Sequence, residues 1–516
     1  MDAATGGTGR FASEHVNEIF KNIEWLKASD VYVPDVTRGQ TENTVKLEVI
    51  PRVLNTSDDA HLMGELFANS LGYSWPNTVG YNDPAATLGA FPQFDMMYDF
   101  NATANPIVRW TGQKAFLNES VVNQSTLAGV VGRRIRVLVR STVQRILFHP
   151  LDATKAVGVE YLDSRGVQRK AWATSNVVVS AFMQTSSILQ RSGVGPTAVL
   201  EAANIEPHVI NEHVGQNWAY HTYIPIIFLN PALSGVANPA DAPLISGFGT
   251  AFLEDPVLAP APNQRGFQPI TVSFPSIMAY FNFQLAPASR GFINVYSDDP
   301  FQVAKMDPRI FSDPNDTISW RTHMRATVSA LQTYDPSVFC LSIDNTTLYD
   351  DNLFETWLFA NMNYLNSLAH SYGTARLATS SATGAIDPEF KVFGAKNLRV
   401  CDTQAFLAQT DGNPAYAAMA LGQLCADAIM QRPIPAKKKR HSSSVSLPNK
   451  KRTPKSPKNT PNKRDAMTQQ DYQAIVAFFA SVKIKLSMSE AQRIIAGIQA
   501  TSTWRELNAQ YGPYQG

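Results

Sequence analysis

The chain has 516 residues, 44% hydrophobic and 17% charged, and its 44 Lys/Arg and 43 Asp/Glu leave a formal net charge of +1. No apolar run reaches the ~18 residues that span a bilayer, and the opening MDAATGGTGR lacks the apolar stretch of a secretory signal. Cys340, Cys401 and Cys425 are too few and too scattered for a disulfide framework or a zinc site, so the composition reads as a large soluble protein of roughly three ~150-residue domains.

In chain order, Gly7-Thr8-Gly9-Arg10-Phe11-Ala12 fits the G-x-G-x-x-G/A pattern of a dinucleotide turn. Only six residues precede it, too few for the strand that such a turn must follow, so the match reads as chance. N-x-S/T sequons begin at Asn55, Asn101, Asn118, Asn123, Asn315 and Asn345 and hint at a secreted ancestor. Residues 134–148, RIRVLVRSTVQRILF, are β-branched and predict a strand, with VGVEYLD beginning its hairpin partner. NVVVSA predicts a short buried strand, and TSSILQRSG and PTAVLEAAN predict helices after it. Residues 224–300 are rich in Pro and β-formers such as ITVSF and GFINVY, which predicts antiparallel strands; residues 315–334 predict a helix. This alternation is α/β organisation.

The near-neutral charge conceals segregation. Residues 436–464 carry 11 Lys/Arg and no Asp/Glu, with many Ser and Pro. Such a segment cannot bury a core and reads as a disordered linker. Its KKKR and KKR clusters suit nuclear import or contact with nucleic acid or another polyanion, and a solvated linker without a partner is the equal alternative. Beyond it, TQQD and SMSE have the form of capping boxes before helical runs, a small helical module over 467–516.

The stretch richest in chemistry is 397–414, NLRVCDTQAFLAQTDGNP. Leu398 to Cys401 predicts a short strand ending at Asp402. Asn413 and Pro414 suit the N-cap and first position of the Ala-rich helix that follows. A carboxylate and a helix N-terminus, which attracts negative charge, then share one end of an α/β layer. An ordinary strand-to-helix connection is the plain alternative.

The run from His370 through GTARLATSSATGAIDPEFKVFGAKNLRVCDTQAF to Gly412-Asn413-Pro414 resembles the C-terminal signature of the glucose–methanol–choline oxidoreductase family. That signature reads H-x-x-G-S/T, an Ile-Asp or Val-Asp turn, V-x-G-x-x-N-L-R-V-x-D, then G-N-P. Ser180 to Pro196 is similar to the family's second signature, and HVGQNWAYH, His213 to His221, to its V-G-x-N-L-x-D-H. ASRGFINV and KMDPRIFSDPND are similar to its S-R-G and D-P segments. The matches run in family order from about Gln113 to Arg432.

The resemblance implies a mixed α/β fold. A Rossmann-like FAD-binding layer, incomplete at the N-terminus, is interleaved with an antiparallel-sheet substrate domain. It divides the chain into an FAD-domain remnant over 1–19, substrate-domain segments over 20–124 and 224–365, and FAD-domain segments over 125–223 and 366–432. The basic linker over 433–466 and the helical module over 467–516 follow. It implies oxidation of an alcohol or sugar CH–OH, with hydride passing to FAD and His370 as the base, a role that suits imidazole near neutral pH. Asn413 would hydrogen-bond the substrate oxygen, and the helix starting at Pro414 would favour the anionic reduced flavin. Asp402 and Thr403 would lie along the phosphates and ribityl chain, and Val143 near the adenine. His221 reads as a residue that orders a loop. Two departures count against cofactor retention: the missing strand before a Gly-rich turn, and Ala181-Phe182 where the family has Gly-Ala. They keep open a second class, a non-catalytic relative with a structural or polyanion-binding role.

Overall fold

The β-forming runs between residues 222 and 284 carry two chemically different faces, and this decides the larger sheet. In the computed structural model of the chain, Thr222–Leu229, Ile277–Gln284, Arg265–Phe274 and Gly249–Glu254 pair antiparallel in that order. Phe339–Cys340 and Gly89–Phe91 complete a six-stranded sheet at its two edges. Side chains alternate across a sheet, and directly opposed residues share a face. Ile224, Ile226 and Phe228 therefore point the same way as Asn282, Tyr280 and Met278. The helices Asp59–Ser70, Pro314–Tyr334 and Asp351–Asn361 cover that face and form with it one apolar core around Phe67, Trp320 and Phe354.

Polar groups inside this core are paired, as burial requires. The Trp320 indole donates to Thr222 Oγ1 at 2.9 Å, and the Gln284 amide donates to Ser319 Oγ at 3.0 Å. His323 meets Asn282 Oδ1 at 3.0 Å and stacks on Phe267. The long helix starts where sequence predicts: Asp313 accepts from the Asn315 N–H, and Pro314 takes the first position. The opposite face presents Tyr223 against Phe283, with Phe281 two residues on. This face looks towards the second layer.

The second layer is built on a parallel pair, Val177–Val179 with Leu398–Val400. Beside it Thr142–His149, Asp152–Leu162 and Gln168–Trp172 form a three-stranded antiparallel sheet. The helices Ser13–Ile23, Gln184–Arg191 and Ala415–Ile429 pack with these strands around Val179, Leu189, Leu398, Val400 and Leu424. The fold is thus mixed α/β with antiparallel sheets.

The structure describes residues 9–26, 47–53, 59–75, 88–91, 93–96, 98–99, 108–109, 111–231, 249–258, 264–274, 277–362 and 370–432, with Ala4, Gly6 and Gly7. The chain divides into two compact units, Met1–Arg432 and Pro433–Gly516. The second unit, with the basic segment 436–464 and the capping boxes, lies outside the described residues. Among the described residues no helix is long and apolar enough to cross a membrane.

Several expectations need correction. Continuous strand structure in the 134–148 run begins only at Thr142; before it Arg136 makes just an isolated antiparallel bridge with Ala128, and Ile135, Leu138 and Val139 are exposed. Val178, in the strand expected to be buried, is 44% exposed between buried Val177 and Val179. Asn413 does not stand at the N-cap: Pro414 does, the helix begins at Ala415, and no side chain caps it.

The cysteines are not all isolated. Cys401, just after the strand Leu398–Val400, and Cys425, on the helix Ala415–Ile429, form a disulfide with their Cα atoms 6.0 Å apart. Their separation of 24 residues corresponds to about 3 kcal/mol of lost unfolded-state entropy. Reductant should therefore lower the thermal midpoint of the wild-type protein. Cys401→Ala should start at the reduced midpoint and ignore reductant. A wild-type midpoint indifferent to reductant would show that the two sulfurs are free thiols.

Candidate active site

The His370-Ser371-Tyr372-Gly373-Thr374 segment is fixed by bonds to two other stretches. Tyr372 exchanges backbone hydrogen bonds with Ala219, at 2.9 and 3.1 Å, and the Gly215 N–H donates to the Thr374 carbonyl at 2.7 Å. Gly373 has φ +92°, and a Cβ there would stand 2.7 Å from the Asn217 carbonyl, so glycine is required. On the other side the Thr403 hydroxyl and the Gln404 amide donate to the Ser371 carbonyl, at 2.9 and 3.2 Å. The Trp218 indole donates to the Ser371 hydroxyl.

This clasp brings His370 against His221. Their Nδ1 atoms are 2.7 Å apart, and His221 Nε2 lies 3.1 Å from the Thr410 carbonyl. Phe283 stacks on the His370 ring, with centroids 5.4 Å apart. Gln268, directly opposite Phe283 in the sheet, approaches Gly412, so the 410–413 loop reaches the same place. Both imidazoles are buried. Burial holds His370 at about 4. It also holds His221 well below the ordinary value, with a smaller contribution from the neighbouring His370. Both rings are therefore neutral at pH 7.

The other expected site residues fall in two groups. Asn413 is exposed beside the start of the Ala415–Ile429 helix, with Pro414 at its N-cap. Asp402 accepts from the Phe182 N–H at 2.9 Å, the Thr185 hydroxyl at 2.5 Å and the Gln404 N–H at 2.9 Å. Its carboxylate joins the strand end to the turn before the Gln184–Arg191 helix. Burial raises its pKa, against these bonds. Thr403 spends its hydroxyl on Ser371. Val143 is half-buried on the Thr142–His149 edge strand, opposite Tyr161. Phe182 adopts φ +55°. Sequence reasoning gave His221 only a loop-ordering part and had no signal for Phe283, which reaches His370 through sheet register.

A flavin nucleotide makes two demands. Its reactive end needs an environment that accepts negative charge. The uncapped Ala415–Ile429 N-terminus, with no acidic residue in its first turn and small Ala side chains, meets that demand. Its diphosphate end needs a strand, a Gly-rich turn and a helix. Gly6, Gly7 and Gly9 do take positive φ before the Ser13–Ile23 helix, but among the described residues no strand precedes them. The residues at the start of the Ala415–Ile429 helix therefore fit the ring end of the group. No group of three or more His, Cys, Asp or Glu among them suits a metal.

Residues 99–223 match the N-terminal and residues 287–422 the C-terminal part of the GMC oxidoreductase family. The chain belongs to that family. A glucose dehydrogenase (FAD, quinone) of Drosophila pseudoobscura pseudoobscura is 24% identical over 60% of this chain and 54% of its own length. An oxygen-dependent choline dehydrogenase of Vibrio vulnificus is 28% identical over 57% of each. The chain thus spans about half the length of the curated relatives it matches. Among solved structures, formate oxidase of Aspergillus oryzae RIB40 superposes with TM-score 0.67 at 19% identity, over 83% of this chain and 80% of that one. An FAD-dependent oxidoreductase of Chaetomium thermophilum gives 0.65 at 18% identity, over 81% and 80%. These structures share the fold.

The buried histidines make stability depend on pH. Burial holds His323 at about 3 and His370 at about 4, against ~6.5 in the unfolded chain. Between these values the unfolded state binds more protons, so stability falls as pH drops below ~6.5. His370 alone accounts for about 3 kcal/mol by pH 4, at ~1.4 kcal/mol per unit. Denaturation series from pH 7 to 5 should show this slope, and His370→Gln should reduce it by about one proton. An unchanged slope would mean that His370 is not buried neutral.

Proposed function

We propose that the chain is a flavin-dependent oxidoreductase that oxidises the CH–OH group of a small alcohol, with His370 as the base. What carries this reading is a neutral, buried imidazole fixed beside the loop that leads to Asn413 and an uncapped helix start. FAD, when bound, supplies the hydride acceptor. His370 Nε2 takes the hydroxyl proton, a step that needs an approach of about 2.6–3.2 Å. The Asn413 amide donates to the same oxygen and holds the carbon in line. The N-terminus of the Ala415–Ile429 helix stabilises negative charge that develops nearby. Asp402 and Thr403, whose bonds hold Phe182 and Ser371 in place, would hold the phosphate and ribityl side of that group, and Val143 would offer backbone to its adenine.

The aromatic face formed by Tyr223, Phe281 and Phe283 beside His370 favours an alcohol on an apolar or aromatic body over a sugar. Benzyl alcohol should therefore exceed glucose in kcat/KM by roughly tenfold or more; the opposite order would return the substrate to the sugars.

The second class, a non-catalytic relative, draws support from Phe182 at positive φ where the family has a small residue. One series decides between the classes. Flavin carried by the purified protein is read by its visible absorption. With FAD added the protein should oxidise alcohols. His370→Ala should then lower turnover roughly 10²–10⁴-fold, the usual worth of a general base, without changing flavin affinity. Asn413→Ala should cost less, since it removes one hydrogen bond and no proton acceptor. Undiminished turnover in His370→Ala would remove the base assignment, and absence of any turnover with bound FAD would favour the non-catalytic class.

A further inference from the structure

The contacts of His221 with His370 and with the Thr410 carbonyl select one arrangement of protons for a neutral pair. The Thr410 carbonyl can only accept, so His221 Nε2, 3.1 Å away, must carry a hydrogen and donate it. A neutral imidazole holds one ring hydrogen, so His221 Nδ1 is bare. His370 Nδ1 stands 2.7 Å from that bare nitrogen. Two lone pairs at this distance repel, so His370 Nδ1 carries the hydrogen and donates it. His370 Nε2 is then bare. The alternative, with hydrogens on both nitrogens of His221, requires an imidazolium, and its complete burial next to a second imidazole opposes that charge.

We infer that His221 is a positioning residue that locks His370 in the Nδ1–H tautomer, leaving the Nε2 lone pair free to accept a proton. In water the Nε2–H form is the commoner tautomer of neutral histidine. Left to itself, His370 would mostly present a donor where a base is needed. The chain Thr410 carbonyl, His221, His370 reverses that preference with two hydrogen bonds and no buried charge. Perpendicular rings, 86° apart, suit an in-plane N–H on one ring meeting the in-plane lone pair of the other. The proton balance is simple: the substrate O–H breaks, His370 Nε2–H forms, and the imidazolium so made keeps its Nδ1–H directed at His221.

The kinetic consequence rests on His370 being the base, but the tautomer does not, and the test separates them. In full-length protein with 15N-labelled histidine at pH 7, His370 Nε2 should resonate as a bare, pyridine-type nitrogen and Nδ1 as a pyrrole-type one. His370→Gln identifies the signals. A wild-type His370 with protonated Nε2 overturns the inference without any further variant. His221→Leu should shift His370 Nε2 towards the pyrrole type and, in FAD-loaded protein, lower kcat by roughly 10²-fold with little change in KM. His221→Gln, whose amide can both accept from His370 and donate to Thr410, should restore tautomer and rate together. An unchanged tautomer in a folded His221→Leu protein would overturn the role of His221. A locked tautomer without alcohol oxidation would uphold the inference and sink the proposed activity instead.

Discussion

Ser371 has no exposure to solvent, and its carbonyl and hydroxyl take hydrogen bonds from Thr403, Gln404 and Trp218. Polar atoms so deeply placed cannot exchange partners with water, and leaving one unpaired costs roughly 1–3 kcal/mol. Rotation of this peptide would break all three bonds at once. The neighbouring His370 therefore inherits a fixed backbone direction from groups that themselves touch no substrate. Thr403 and Gln404 belong to the strand-end turn, and Trp218 to the segment that leads into the large sheet. The two layers meet around this residue, and the imidazole pair stands at the junction.

Neutrality is the second constraint. A buried cation beside His370 would stop it taking a proton, and a buried carboxylate would raise its pKa and hold it charged. The structure places a second buried imidazole and a stacked phenyl ring against it, and the Thr410 loop leads on to a helix start. A helix dipole supplies about half a charge that does not titrate. It can steady an anion at any pH where the protein is folded. The acid sensitivity of the fold follows from the same burial.

Much of this was written in the chain. The spacing from His370 to Pro414 placed that imidazole, the strand and the helix in one layer, and the Pro- and β-rich region pointed to the antiparallel sheet. The misses have a common cause: they depend on pairing between distant segments. Residues 134–141 have strand composition but pair only through the single bridge of Arg136 with Ala128, and β-propensity needs a neighbour to be expressed. Cys401 and Cys425 meet because a strand end and a helix pack, not because of any Cys spacing. Phe283 reaches His370 because its register partner is Tyr223; a slip of one residue would turn Asn282 there instead. His221 was visible at the end of its motif, but its contact with His370 exists only once Ala219 and Tyr372 have paired.

Two features of the site weaken the fold and so need a reason. Pro414 occupies an N-cap position that Ser, Asp or Asn would fill with a gain of about 1 kcal/mol, and Asn413 stands one residue too early to supply it. Phe182 holds φ +55°, a region that costs a non-glycine residue about 1–3 kcal/mol. Neither is compensated by apolar packing in the way a core residue would be. Phe182 is held by its N–H bond to the Asp402 carboxylate, a charge-assisted contact of about the size needed to offset the strain. The helix end has no side-chain cap to offset its open N–H groups, and such an end favours an anionic group. Local rules broken at one place are what a site built for binding would leave in a fold, at some cost to stability.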